Sequence, residues 1–305
     1  MTVQERFIRY ASIDTGASET SGTHPSSPAQ GELARLLADE LTAMGAQQVR
    51  VSPECYVYAE IPANAAQQPA IGLIAHMDTA PSVPTGPVHP RVVRYEGGDL
   101  PVGHGAVLQA SAYASLARQI GHELIVTDGT TLLGGDDKAG VAEIMTACAQ
   151  ILADPAHRHG KICIGFTPDE EIGGGADFFD VAGFGADFAY TVDGGAPDEF
   201  ECENFNACTA IVQVKGFNIH PGSAKNKMRN AGRMAVEFAG LMPDSETPEH
   251  TELREGFYHL CDLHGDESAA TLHYIVRDHD RARFEARKAR LTAMTAYLNG
   301  KYGEG

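Results

Sequence analysis

Four short stretches each place metal-ligating residue types directly behind an apolar run. They are LIAHMDT with His76 and Asp78, LLGGDDKAG with Asp136 and Asp137, FTPDEEIGGG with Asp169, Glu170 and Glu171, and YTVDGG with Asp193. Neighbouring carboxylates repel one another and resist desolvation, so gathering them at the mouths of buried strands is unfavourable unless a counter-charge joins them. A divalent cation is such a charge. Imidazole and carboxylate donors without thiolate suit Zn²⁺, with Mn²⁺ or Co²⁺ as substitutes. Singly, each stretch has an ordinary explanation. A lone His-x-Asp is commonly a surface or capping pair, two aspartates before a helix match its macrodipole, and Glu-Glu or Asp-Gly pairs often mark solvated turns. Four such stretches, each following an apolar strand pattern, point instead to one shared pocket.

The elements that must deliver these residues can be read from periodicity. Ser27-Pro28 reads as an N-cap with proline at the first helical position, followed by Leu33, Leu36, Leu37, Leu41 and Met44 at helical spacing and a stop at Gly45. Residues 55–62 and 69–76 read as strands, and Pro- and Gly-rich residues 79–130 as long connections with an edge hairpin or two. A helix over 137–152 carries Val141, Ile144, Met145, Cys148, Ile151 and Leu152 on one face, and residues 161–166 and 187–192 are strands of the buried type. Strands alternating with helices predict an α/β fold with a largely parallel sheet, whose ligands gather at the carboxyl ends of the strands. Beyond about residue 207 the pattern changes. An alternating strand at 208–216, a helix over 227–242, strands near 257–263 and 269–277 and a charged helix over 279–300 predict a small α+β domain. It is a ferredoxin-like βαββα unit, one strand short of βαββαβ.

Bulk properties narrow the function classes. The 305 residues are 43% hydrophobic and 21% charged, enough for a sizeable core divided between two domains. Acidic residues outnumber basic ones 41 to 23, a formal charge of −18 that disfavours nucleic-acid or anionic-membrane partners and favours cations. No apolar run reaches the ~18 residues of a membrane span, and the N-terminus has no apolar signal core. The six cysteines are scattered without a C-x-x-C pair, as expected of reduced thiols in the cytoplasm.

HMDTAP, GGDDKAG, TPDEEIGGGADFFD and YTVDGG, in that order, resemble the metal-dependent exopeptidases of the M20 clan. DGTTLLGGDDKAGVAEIM, ECENFNA, HPGSAKNKMRNA, GFYHL and HYIVRDHDR narrow the resemblance to the peptidase T family of tripeptide aminopeptidases, over the whole chain. The resemblance implies a zinc-exopeptidase-like catalytic domain with a mixed, largely parallel sheet at 1–206 and a lid or dimerisation domain at 207–305. It implies two Zn²⁺ ions: His76, Asp136 and Asp193 on one, Asp136 and Glu171 on the other, with Asp136 bridging. Asp78 would hydrogen-bond the far nitrogen of His76, and Glu170 would be the general base. Asp137 and Asp169 are not ligands in this scheme and would have capping or supporting roles. In the lid, His220 would approach the substrate carbonyl and Arg277 would bind the tripeptide's terminal carboxylate. From the residues alone, His220 reads equally as a cap in a His-Pro turn, and Arg277 as a strand-end partner of Asp278 or Asp280.

The family's chains continue past the equivalent of residue 305, with a last lid strand, further catalytic strands and a final histidine on the second metal. The sequence is therefore expected to be truncated at its C-terminus, with a second site short of one ligand. The resemblance implies a cytoplasmic, zinc-dependent aminopeptidase acting on small peptides, dimerising through its lid, with no nucleic-acid or membrane partner. Two alternatives stand beside it: another M20-type hydrolase (dipeptidase, carboxypeptidase or deacylase), and an inactive, truncated metal-binding remnant.

Overall fold

A computed structural model describes residues 1–81, 86–195 and 199–303. The predicted connection over 79–130 includes residues 82–85, which lie outside the described residues, as do residues 304 and 305. The chain divides into two compact units, Met1–Glu199 and Phe200–Gly305.

The first unit contains helices α1 (Val3–Ala11), α2 (Pro28–Met44), α3 (Gly135–Ala153) and α4 (Val181–Phe184). Its strands are β1 (Gln47–Val51), β2 (Val57–Ile61), β3 (Ile71–His76), β4 (Arg91–Arg94), β5 (Leu100–Gly103), β6 (Ala106–Leu108), β7 (Glu123–Val126), β8 (Ile162–Thr167) and β9 (Phe188–Thr191). Five of these form a mixed sheet in the order β1-β2-β8-β3-β9. β8, β3 and β9 run parallel, while β1 and β2 continue the sheet antiparallel. The Pro- and Gly-rich connection folds into two small antiparallel pairs, β4 with β7 and β5 with β6.

Every residue of β8 is buried, which explains its unbroken apolar sequence: it lies between β2 and β3 with both faces covered. Ile162, Ile164 and Phe166 point into the larger core with Leu33, Leu37 and Leu41 of α2 and Val141, Ile144, Met145 and Cys148 of α3. Burial of each such leucine stabilises the fold by about 1.5–3 kcal/mol. Cys163 points to the opposite face, where it meets Tyr56, Tyr58 and Phe184. Gly140 lets α3 approach the sheet. A β-carbon there would lie 1.9 Å from the Val192 carbonyl oxygen, so any larger residue would force the helix away from the strand that leads to Asp193.

Local reading missed three elements, α1, β1 and the single-turn α4, and one cap. α1 and β1 were not distinguished in sequence; α1 is short and amphipathic, and β1 is an exposed antiparallel edge. Ser27 occupies the N-cap position of α2, but its side chain does not cap the helix.

The second unit comprises β10 (Asn206–Lys215), α5 (Ala231–Ala239), β11 (Phe257–Gly265), β12 (Ala269–Asp278) and α6 (Arg281–Tyr302). Its antiparallel sheet has the order β10-β12-β11, the βαββα arrangement expected from the sequence. Phe238 of α5 and Phe284, Leu291, Met294 and Leu298 of α6 pack on one sheet face with Tyr258, Leu272, Tyr274 and Val276. α5 is shorter than the predicted 227–242: Asn230 caps its start through the Arg233 N–H, and the helix ends before Gly240. Asp280 caps α6 by the same device, its carboxylate accepting from the Arg283 N–H.

Candidate metal centre

The register of the parallel strands sets the geometry. His76 ends β3 opposite Thr167, the last residue of β8, and Ile74 pairs with Thr191, the last residue of β9. The segments following all three strands therefore emerge along one edge, carrying Asp78, Glu170–Glu171 and Asp193. α3 brings Asp136 and Asp137 to the same edge. Both have non-helical backbone angles, and the peptide between them is cis.

His76 is buried and its two ring nitrogens serve different groups. Nε2 lies 2.8 Å from Asp136 Oδ1, 3.8 Å from Asp193 Oδ2 and 3.9 Å from Glu170 Oε2. Nδ1 lies 3.1 Å from the Asp78 carbonyl and 3.3 Å from Asp78 Oδ1. A partner on Nδ1 fixes the tautomer and aims Nε2 at the carboxylates, the usual support for a metal-binding imidazole.

Asp78 is fully buried and also holds the glutamate turn. Its Oδ1 accepts from the Glu170 backbone N–H at 3.0 Å and its Oδ2 from that of Glu171 at 3.1 Å. One carboxylate thus ties the histidine to both glutamates, which no local pattern in the sequence reveals.

Two triads bring ligand atoms within 4.8 Å of one another: His76, Asp136 and Glu171, and His76, Asp137 and Asp193. The adjacent aspartates are nevertheless not equivalent. Asp137 is buried, and its oxygens accept from the His76 N–H at 3.1 Å and the Gly140 N–H at 3.2 Å. Asp136 leaves 69% of its side chain exposed. The more accessible carboxylate is the better cation ligand, and the one engaged with backbone N–H groups is the better brace.

The electrostatics describe a pocket short of positive charge. Partial burial first, and then the neighbouring carboxylates, hold Glu170, Glu171 and Asp193 above the usual carboxylate range, against the opposing pull of His76. Burial pushes Asp137 up to about 8. For His76 burial disfavours the charged form, but the hydrogen bond and charge of Asp78, with Asp137 and Asp136, outweigh it and carry the pKa up to about 10. A histidine that keeps its proton among carboxylates that resist ionisation is what a divalent cation would relieve. The donor set, imidazole and carboxylate with no cysteine in either triad, fits divalent cations.

Beneath the centre, Lys138 is buried and donates to the Ile13 carbonyl at 2.7 Å. Burial lowers its pKa to about 8, with Asp14 and Asp78 opposing the shift.

The two lid candidates lie in the second unit. His220 is exposed and accepts from the Gly222 N–H at 3.1 Å, capping the His-Pro turn. Arg277 does not form the strand-end ion pair: Asp278 is taken by Arg287 at 2.8 Å, and Asp280 caps α6. The Arg277 guanidinium lies over the Phe205 ring at 4.3 Å, and its Nε has no hydrogen-bond partner among the described residues.

Comparison with known proteins identifies the family. Residues 202–305 match the peptidase dimerisation domain of the M20 group. A peptidase T of Desulfitobacterium hafniense (strain DSM 10664 / DCB-2) is 54% identical over 308 residues, covering 100% of this chain and 75% of the relative. Among solved structures, a tripeptidase from Staphylococcus aureus subsp. aureus Mu50 superposes with a TM-score of 0.71 at 21% identity, covering 96% of this chain and 70% of that one. A dinuclear metal binding peptidase of the M20 family from Bacillus subtilis superposes with a TM-score of 0.58 at 15% identity, covering 99% of this chain and 71% of that one. The similarity of the fold and the level of identity to curated relatives lead to one assignment: the chain belongs to the peptidase T family of M20 metallopeptidases.

Proposed function

We propose that this chain is a metal-dependent aminopeptidase that releases the N-terminal residue from tripeptides. The observation that carries the reading is the convergence of His76, Asp136, Glu170, Glu171 and Asp193 at the carboxyl edge of three parallel strands, in a chain of the peptidase T family.

His76, Asp136 and Asp193 would hold one cation, and Asp136 and Glu171 a second, with Zn²⁺ the ion best matched to the donors. When bound, a pair of divalent cations lowers the pKa of water and polarises a peptide carbonyl. The chain's own groups do the rest. Glu170, half exposed and held by its backbone to Asp78, takes the proton of the attacking water and delivers it to the departing amine. Its raised pKa brings proton uptake and release closer to neutral pH. Asp78 keeps His76 oriented. Arg277 binds the tripeptide's terminal carboxylate through its planar fork, and His220 approaches the scissile carbonyl.

The same reading places the protein in the cytoplasm, consistent with six free cysteines, and has it pair with a second copy through the lid unit. Among the described residues no helix is long and apolar enough to cross a membrane.

The reading is tested by supplying a free tripeptide and its N-acetylated form. Release of the first residue from the free peptide alone is expected; cleavage of the acetylated form would favour a deacylase or carboxypeptidase. Arg277→Met should raise KM for tripeptides by about 10–100-fold, the worth of a charge-assisted hydrogen bond, with a smaller effect on kcat. An unchanged KM would remove Arg277 from carboxylate recognition.

A further inference from the structure

Asp169 precedes the two glutamates and is fully buried, yet it belongs to neither cation triad. All its side-chain partners come from the segment that leads into α2 and from the first turn of that helix. Oδ2 accepts from the Ser26 N–H at 2.7 Å, and Oδ1 from the Ser26 hydroxyl at 2.5 Å and the Gln30 amide at 2.7 Å. His24 Nδ1 lies 3.2 Å from Oδ2. Gln30 closes the exchange, its Oε1 accepting from the Asp169 N–H at 3.1 Å. Ser26 and Gln30 are themselves buried, and Ser26 Oγ accepts from the Ser18 N–H at 2.9 Å.

A buried carboxylate needs partners for its lone pairs, and here three hydrogen bonds and the nearby His24 ring supply them. The backbone of Asp169 is left-handed, with φ +54°, a conformation aspartate and asparagine adopt more readily than most residues. The Gly174 N–H returns to the Asp169 carbonyl at 2.8 Å and the Gly173 N–H to that of Glu170 at 2.7 Å, closing the turn around the glutamates. The turn is therefore gripped from two sides, by Asp78 at the backbone of Glu170 and Glu171, and by the start of α2 through Asp169.

We infer that Asp169 is a positioning residue for Glu170 and Glu171, and that Ser26 and Gln30, 143 and 139 residues away in sequence, are the other half of the clamp. Mutual repulsion between the glutamates and their acidic neighbours pushes the turn outward, and the clamp opposes that displacement. Neither Ser26 nor Gln30 lies in the cation triads, so the coupling runs through the fold.

The test uses the intact chain and three substitutions: Asp169→Asn, Ser26→Ala and Gln30→Leu. Asparagine keeps the shape and the left-handed preference but replaces one acceptor with a donor. With Zn²⁺ titrated calorimetrically and tripeptide hydrolysis followed in parallel, Asp169→Asn is expected to lower kcat by about 10–100-fold, the scale of a small misplacement of a catalytic group. KM should move by less than about twofold, and the affinity of the more weakly bound cation should fall. Ser26→Ala and Gln30→Leu should reproduce the pattern in milder form, and they decide the matter if Asp169→Asn does not fold. Wild-type kcat and cation affinity in the folded variants would overturn the inference, as would activity lost only in proportion to folded protein. The kcat arm rests on the aminopeptidase reading. If the unmodified chain cleaves no tripeptide, that reading fails by itself, and cation affinity still decides the clamp.

Discussion

Glu170→Gln is expected to lower kcat by about 10²–10⁴-fold, the usual contribution of a positioned general base, while cation content per chain stays at the wild-type value. The asymmetry between the paired glutamates follows from what each touches. Glu170 Oε2 stands 3.9 Å from His76 Nε2 and half its side chain is open, so it can reach a water beside the cations without being held by them. A glutamine amide at this position would keep the size and the backbone bond to Asp78 but could not accept a proton. Loss of cation together with loss of turnover would show instead that Glu170 is a ligand.

Glu171→Gln is expected to give the opposite signature. Glu171 forms the triad with His76 and Asp136, and partial burial together with Asp136 keeps its carboxyl above the ordinary range. A group whose ionised form is disfavoured in the cation-free site gains most when a cation arrives. Replacing it by a neutral amide should weaken the second cation by about a hundredfold or more, beyond the effect of losing a supporting hydrogen bond to a ligand. Turnover should fall with occupancy and recover in part at high cation concentration. Metal analysis showing equal cation content in the two glutamine variants would contradict the division of labour between these residues.

His76, Asp78, Glu170, Glu171 and Asp193 are legible in sequence because each ends or closely follows a parallel strand, where such a sheet opens to ligands. The strand pattern expected before Asp136 and Asp137 is absent, and both residues open α3. The order of strands was not legible, and neither was the antiparallel attachment of β1 and β2, because pairing partners are set by packing between distant segments. Asp136 and Asp137 could not be separated by spacing. Only the structure shows that Asp137 spends its oxygens on the His76 and Gly140 N–H groups while Asp136 stays open. Asp78 was read as the partner of His76, but its grip on the Glu170 and Glu171 N–H groups required the turn after β8 to be seen in place. The clamp of Ser26 and Gln30 on Asp169 was invisible for a related reason. Ser26-Ser27-Pro28 carries a strong helix-start signal, and that local reading hid a long-range role.

The central claim is that cations held by these groups support removal of an N-terminal residue. It is tested most directly by following hydrolysis of a free tripeptide before and after stripping the protein with a chelator, then on adding back Zn²⁺. The account predicts release of the first residue, its loss on chelation and its return with the cation. Release that continues undiminished in the fully stripped protein would contradict it.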